Sequence, residues 1–160
     1  MYVSVYHHDF NPHNIIISEK TRNNVMQGSD FHRLILSDEY CATNGIFIHF
    51  SLTNITIEKY FNKIKCCFEA NPQNNITISS IKSIEKMILN KFKNIQNRTI
   101  SCRIQEQLQN GFIKLYGDDN IKYGRQQRIN FLLKISGIWV SNQSNDFGLT
   151  FRFFIFNNQF

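Results

Sequence analysis

"LLKISGIWVSNQSNDFGLTFRFFIF", residues 132–156, decides the fold. Two arms of alternating residues flank a centre of Ser, Asn, Gln and Asp near Ser144, so the stretch predicts a long β-hairpin closed by a polar turn. One face collects Phe131, Leu133, Ile135 and Trp139 on the first arm and Phe147, Leu149, Phe151, Phe153 and Ile155 on the second, all apolar. That is a core face. The other collects Leu132, Lys134, Ser136, Ile138 and Val140 opposite Thr150, Arg152, Phe154 and Phe156. The core face stays continuous only if odd residues pair with odd ones. Pairing Trp139 with Leu149 and Ile135 with Phe153 does this, and sets Ser136 beside Arg152 and Lys134 beside Phe154. A cation beside an exposed ring suits single-stranded nucleic acid, because bases stack on rings and cations hold phosphates. The same face also reads as a second core, with Lys134 and Arg152 extending their charges past its edge.

Working back from the hairpin, "GIFIHFSLTNITIEKY" (45–60) points Ile46, Ile48, Phe50 and Leu52 inward, then moves its apolar phase to Ile55 and Ile57. A one-residue change of phase predicts a bulge near Thr53 and Asn54. After a turn, "KIKCCFE" (63–69) alternates Ile64, Cys66 and Phe68 with Lys63, Lys65 and Cys67, so the two runs predict a hairpin. "YVSVY", "NIIIS" and "FHRLILS" predict three earlier strands. "NPQNN" (71–75) breaks the pattern, and from Ser80, read as an N-cap, Ile81, Ile84, Ile88, Phe92 and Ile95 repeat at helical spacing to about Asn97. "CRIQEQLQNG" is a short amphipathic piece of unassigned type, followed by a strand "FIKLYG" and a loop "DDNIKYGRQQ". Strand, strand, helix, strand, strand is the order of an OB barrel. The expected fold is therefore mostly β (α+β): an OB-like antiparallel barrel with one helix between strands and added N- and C-terminal strands. A β-sandwich is the alternative.

At 160 residues and 42% hydrophobic content the chain is one domain, 1–160, able to bury a core without metal or disulfide staples. No apolar run reaches membrane-spanning length, and the N-terminus lacks a basic start and an apolar stretch, so neither a membrane nor secretion is expected. Four cysteines without zinc spacing read as buried thiols in a reducing compartment. The Asn-x-Ser/Thr triplets at Asn54, Asn75, Asn97 and Asn142 are expected in so Asn-rich a chain and carry no glycans. Net charge is +6, unevenly spread: residues 1–58 hold three Lys or Arg against six acids, and residues 59–134 hold fourteen against five. A basic centre attracts polyanions.

Catalytic signals are sparse. "HHDFNPH" gathers His7, His8, Asp9 and His13 but no further ligand at a supporting spacing, and reads as a solvated connection. Tyr116, Gly117, Asp118 and Asp119 resemble the metal-binding turn of RNA-directed RNA polymerases, yet the likeness covers four residues and the chain is too short for a polymerase palm. No phosphate loop or nucleophile elbow occurs, so no enzyme, cofactor or metal is expected. Basic and aromatic material remains: Lys59, Tyr60, Phe61, Lys63 and Lys65 around one hairpin tip, and Lys122, Tyr123, Arg125 and Arg128 in a loop. Two such loops beside one sheet face make a groove that tracks phosphates, with each stacked ring contributing roughly 1–3 kcal/mol.

"LKISGIWVSNQSNDFGLTFRFF", "NGIFIHFSLTNITIEKYFNKIKC" and "EQLQNGFIKLYG" together resemble small β-rich, OB-like proteins of large DNA viruses and virus-derived elements, some of them similar to single-stranded-DNA-binding proteins. The resemblance implies binding of viral single-stranded DNA, or RNA, with little sequence preference, in replication or recombination inside the host nucleus or cytoplasm. Many such binders end in an acidic tail that recruits enzymes. This chain ends "FIFNNQF", so recruitment of that kind is not expected. The expected contacts are Lys59, Lys63, Lys65, Lys122, Arg125, Arg128, Lys134 and Arg152 to phosphates and Tyr60, Phe61, Tyr123 and Phe154 to bases, with Trp139 in the core. The competing expectation is a viral structural or interaction module that forms a homo-oligomer through the terminal hairpin, with Phe154 and Phe156 dry in the interface.

Overall fold

The computed structural model describes residues 3–93, 97–116 and 121–156. In chain order it holds β1 (Val5–Tyr6), a 3₁₀ turn (Pro12–Asn14), β2 (Ile15–Arg22), β3 (Ser29–Ser37), β4 (Ala42–Asn44), β5 (Ile46–Tyr60) and β6 (Lys63–Phe68). Helix α1 (Pro72–Lys93), β7 (Thr99–Ser101), helix α2 (Arg103–Gln109), β8 (Phe112–Tyr116), β9 (Gly124–Ser141) and β10 (Asp146–Ile155) follow. The strands form one sheet with the path β2-β3-β9-β5-β6-β8, β10 pairing on the far edge of β9. All of these pairs are antiparallel. The mostly β, α+β class is therefore as the alternation implies.

The sheet is open where the OB-like reading expects closure, for no ladder joins β8 to β10 among the described residues. Helix α2 packs beside that seam, its Gln107 side-chain oxygen accepting the Lys114 amide at 2.7 Å. There are two helices, and α1 begins eight residues before Ser80. "NPQNN" is the start of the helix: Asn71 accepts the Asn74 amide at 2.8 Å, as an N-cap does, and Pro72 takes the first helical position, where a missing N–H costs nothing. The expected stretch around Ile95 lies outside the described residues. Among the described residues no helix is long and apolar enough to cross a membrane.

Asn74 also explains the change of phase in β5. Its fully buried amide accepts the Thr53 amide at 2.9 Å and donates to the Thr53 carbonyl at 2.8 Å, replacing a ladder rung. Asn54 then takes a left-handed φ of 53°, and the ladder to β9 resumes at Ile55↔Gln126 in unchanged register. No extra residue enters, because β9 changes phase with β5: Ile129 is buried and Arg128 and Arg125 are exposed.

The extra residue is in the terminal hairpin. Gly137 pairs with Thr150 and Ile135 with Phe151, which leaves Ser136 as a bulge. Below it Phe131, Leu133 and Ile135 face the core as expected. Above it Ile138 and Val140 take over, opposite Leu149 and Phe147. Trp139 thus pairs with Gly148, buried on the opposite face and outside the main core, and Lys134 pairs with Arg152, not with Phe154. Inside, Ile81, Ile84, Ile88, Leu89 and Phe92 of α1 cover the concave side of the sheet.

Glu85 of α1 is also wholly buried, and its two oxygens accept the amides of Ile104 (3.0 Å) and Gln105 (2.7 Å) at the start of α2. Burial raises its pKa above the ordinary 4.5, and the two amide bonds pull it partly back. Glu85→Ala strands two donors and is expected to cost about 3 kcal/mol in urea unfolding. Because the folded pKa is the higher one, the folded state holds the extra proton as pH rises from 4.5. The associated stability is complete below 4.5 and lost as pH climbs through the folded value, a slope that Glu85→Gln removes.

Candidate nucleic-acid interface

The outer faces of β6, β8, β10 and β9 each contribute a cation to one cluster. On β6 and β8, Lys65 lies opposite Lys114, and on β10 and β9, Arg152 lies opposite Lys134. The seam between the pairs is spanned by Arg152, whose guanidinium sits 5.4 Å from the Tyr116 ring centre. Paired strands lie about 4.8 Å apart, so Lys65 and Lys114, and Arg152 and Lys134, sit side by side across their ladders, and the Arg152–Tyr116 contact joins the two pairs into one row across the β8–β10 seam. Like charges placed directly opposite one another are destabilising. None of the four has a carboxylate within ion-pair distance among the described residues, where the ion pairs are His8–Asp9, Lys20–Asp30 and Arg125–Glu69.

Rings border the row on both sides. Lys65 is 4.8 Å from the Phe112 ring centre and 5.7 Å from Tyr60, and Lys63, paired with Tyr116, is 5.2 Å from that ring. Lys134 sits 5.7 Å from Phe47, and Arg152 sits 6.0 Å from Phe154, which is 38% exposed. At the β5–β6 tip Phe61 holds a left-handed φ of 53° that pushes its side chain out, 82% exposed, edge-on to Tyr60. The bulge at Ser136 makes this surface possible. By turning Ile138 and Val140 inward it removes the apolar residues that a second core would have used, and leaves the cations among rings.

The structure brings Tyr60, Phe61, Lys63, Lys65, Lys134, Arg152 and Phe154 to this surface or to its rim, while Lys59 pairs with buried Ile64 and so lies on the other face of β5. Gly124 pairs with Ile57, so Lys122 and Tyr123, just before β9, lie at the same end of the sheet as the β5–β6 tip, both exposed. Arg125 and Arg128 go elsewhere. Arg125 lies 4.0 Å from Glu69, and Arg128 donates to the Ser51 hydroxyl at 3.1 Å beside His49. Burial, with help from Arg128, lowers the His49 pKa from 6.5, so this part of the face gains no charge from the imidazole at neutral pH. Missed by sequence reasoning are Phe112, Lys114 and Tyr116, although "FIKLY" alternates them with buried Ile113 and Leu115.

Other chemistry finds little support. Burial pushes the Cys66 thiol up to about 12, far from a reactive thiolate. Among the described residues no three His, Cys, Asp or Glu side chains converge as a metal site. Asp118 and Asp119 of the Tyr-Gly-Asp-Asp stretch lie outside the described residues. Comparison with known proteins gives no match, whether to family models, to curated proteins or to solved structures.

The cation row is a strained arrangement in the free protein, which is measurable. Lys114→Gln with Lys134→Gln is expected to raise unfolding free energy at low salt by a few tenths of a kcal/mol, about the scale of cross-strand pairs. The gain should vanish in 1 M salt, where screening acts over about 3 Å.

Proposed function

We propose that this chain binds single-stranded nucleic acid along the outer face of β6, β8, β10 and β9, with little sequence preference. The observation that carries the reading is the row Lys65, Lys114, Arg152 and Lys134, set among rings and with no carboxylate within 4 Å among the described residues, Glu58 lying opposite Lys65 on β5. Each cation supplies a fixed donor for a backbone phosphate, and phosphates relieve the repulsion that the row builds up. Tyr60, Phe61, Phe112, Tyr116 and Phe154 offer stacking surfaces that any base satisfies. Duplex DNA is the poorer ligand, because its bases are already stacked and cannot reach the rings. On the resemblance noted in the sequence, we propose that such binding serves replication or recombination of viral DNA.

Half-exposed Phe154 and Phe156 also keep self-association in view: they stand at 38% and 43% exposure on the single chain, available to a strand or to a second copy. Fluorescence anisotropy with labelled oligo-dT and duplex DNA of equal length separates the readings. Expected is tighter binding of oligo-dT, with log affinity falling linearly with log salt at roughly 0.7 per phosphate neutralised. Arg152→Gln and Lys134→Gln should each weaken binding several-fold and flatten that slope. Lys86→Gln, the same charge change on α1, should do neither. Absence of oligo-dT binding at low salt, with a dimer in sedimentation that Phe154→Ser dissociates, would assign the face to protein contact.

A further inference from the structure

At the β8–β10 seam the cation row opens into a groove of about 660 Å³ between the β2–β3 turn, α2 and the outer sheet face. That volume falls within the roughly 300–1,000 Å³ typical of small-ligand sites. Five cations line it, Arg22, Arg33, Arg103, Lys114 and Arg152, and among the described residues no acid does. Its floor is aromatic by construction. Phe31 and Trp139 are cross-strand neighbours, and glycines beneath them make the room. A Cβ on Gly148 would stand 2.8 Å from the Trp139 ring, and one on Gly137 would collide with Phe31.

Two features go unused by the fold. Trp139 is 2% exposed, yet its indole N–H has no hydrogen-bond partner among the described residues. An unpaired buried donor costs about 1–3 kcal/mol, so the groove retains a polar group that the protein itself leaves unsatisfied. Arg103 stacks 4.5 Å over the Trp139 ring. Stacking holds that guanidinium in place, and among the described residues Arg103, Lys114 and Arg152 donate no side-chain hydrogen bond to the protein. Their donors are free for an anion. Asn24 and Gln107 add side-chain amides, which match the edge of a nucleobase.

We propose that this groove binds a single phosphorylated nucleotide unit, its phosphate among Arg103, Lys114 and Arg152 and its base over Phe31 and the Arg103–Trp139 stack. The unit is either a free nucleotide or the phosphorylated end of a strand lying on the cation row. Only the second source rests on the strand-binding reading.

Trp139 is the only tryptophan in the chain, so its emission reports on this groove directly. The full-length protein is titrated with dTMP, thymidine, inorganic phosphate and dT10 carrying a 5′-phosphate or a 5′-hydroxyl, with anisotropy of labelled dT10 in parallel. Expected is a saturable change in Trp139 emission with dTMP at concentrations at least tenfold below those needed for thymidine or phosphate alone. Lys114→Gln and Arg103→Gln should each raise the required concentration about tenfold or more. Lys114 lies on the strand surface, so its variant keeps the test sharp if Arg103→Gln disturbs α2. If the 5′-phosphate tightens dT10 by fivefold or more, the strand end is the source; if dTMP binds and the 5′-phosphate changes nothing, the source is a free nucleotide. Phosphate alone acting as well as dTMP would overturn the nucleotide assignment. No emission change with dTMP and equal binding of both dT10 forms would overturn the groove and leave strand binding standing. Emission changes with dTMP while dT10 fails to bind would sustain the groove and reject the strand reading.

Discussion

β9 cannot keep one phase along its 18 residues, because one of its edges serves two partners. Up to Ile135 that edge pairs with β5, and from Gly137 onward it pairs with β3, while β10 pairs with the other edge from Phe131 to Val140, across the point of change. The change of partner coincides with the bulge at Ser136, the extra residue that lets the strand turn a corner without breaking the β10 ladder. Gly45, at φ 97°, makes the matching bend in the chain entering β5, and a Cβ there would stand 3.2 Å from the Ile135 carbonyl. From this one corner follow the burial of Ile138 and Val140, the outward turn of Trp139 and the adjacency of Lys134 and Arg152. A hairpin without the bulge would have turned Trp139 into the main core and left Ile138 and Val140 on the outer face. It would then have had a second apolar face and no site.

That corner marks the boundary of what the sequence makes legible. Period-two runs depend only on neighbours within a strand, so β5, β6, β8, β9 and β10 can be read from them, as can the buried face of α1 through Ile81, Ile84, Ile88 and Phe92. Register and bulges depend on partners. Ser136 is an unremarkable residue in an alternating run, and the demand for a bulge comes from β3, about a hundred residues away in sequence. The α1 start is ambiguous in sequence because Asn and Pro serve both as breakers and as the N-cap and first residue of a helix; Thr53, hydrogen-bonded to Asn74, favours the second use. Helix α2 is ambiguous for a similar reason. At seven residues it is too short to form on propensity alone and is held by Glu85, nineteen residues from Ile104.

The candidate site divides the same way. The tip residues Tyr60, Phe61, Lys63 and Lys65 are adjacent in sequence and were legible as a cluster. Arg125 and Arg128 looked equivalent to them by composition, but Glu69 and Ser51 engage them, which only the fold reveals. Lys114 was legible in principle from the alternation in "FIKLY". Its significance lies in the strand opposite, where Lys65 stands. Arg103 and Trp139 were not legible at all, since one is placed by a buried carboxylate on another helix and the other by a bulge.

Why such a surface persists in a folded protein is a matter of magnitudes. Two unit charges 4 Å apart repel by about 1 kcal/mol in water and by about 4 kcal/mol at the effective dielectric of a protein surface. The row stays affordable only while solvent and counterions reach it, so it has to remain on an open face. That requirement also explains the division of labour across the sheet. The face covered by α1 takes the apolar load and, among the described residues, the one buried carboxylate, which is satisfied by backbone amides and not by a cation. The outer face keeps Lys65, Lys114, Arg152 and Lys134 free of ion pairs among the described residues. Had Glu85 stood near Lys114 or Arg152, it would have neutralised the row and lost its hold on α2. Segregating the acid to the core therefore serves both packing and charge. An anion that displaces the counterions meets donors already positioned by four strands, and pays little conformational entropy for engaging them.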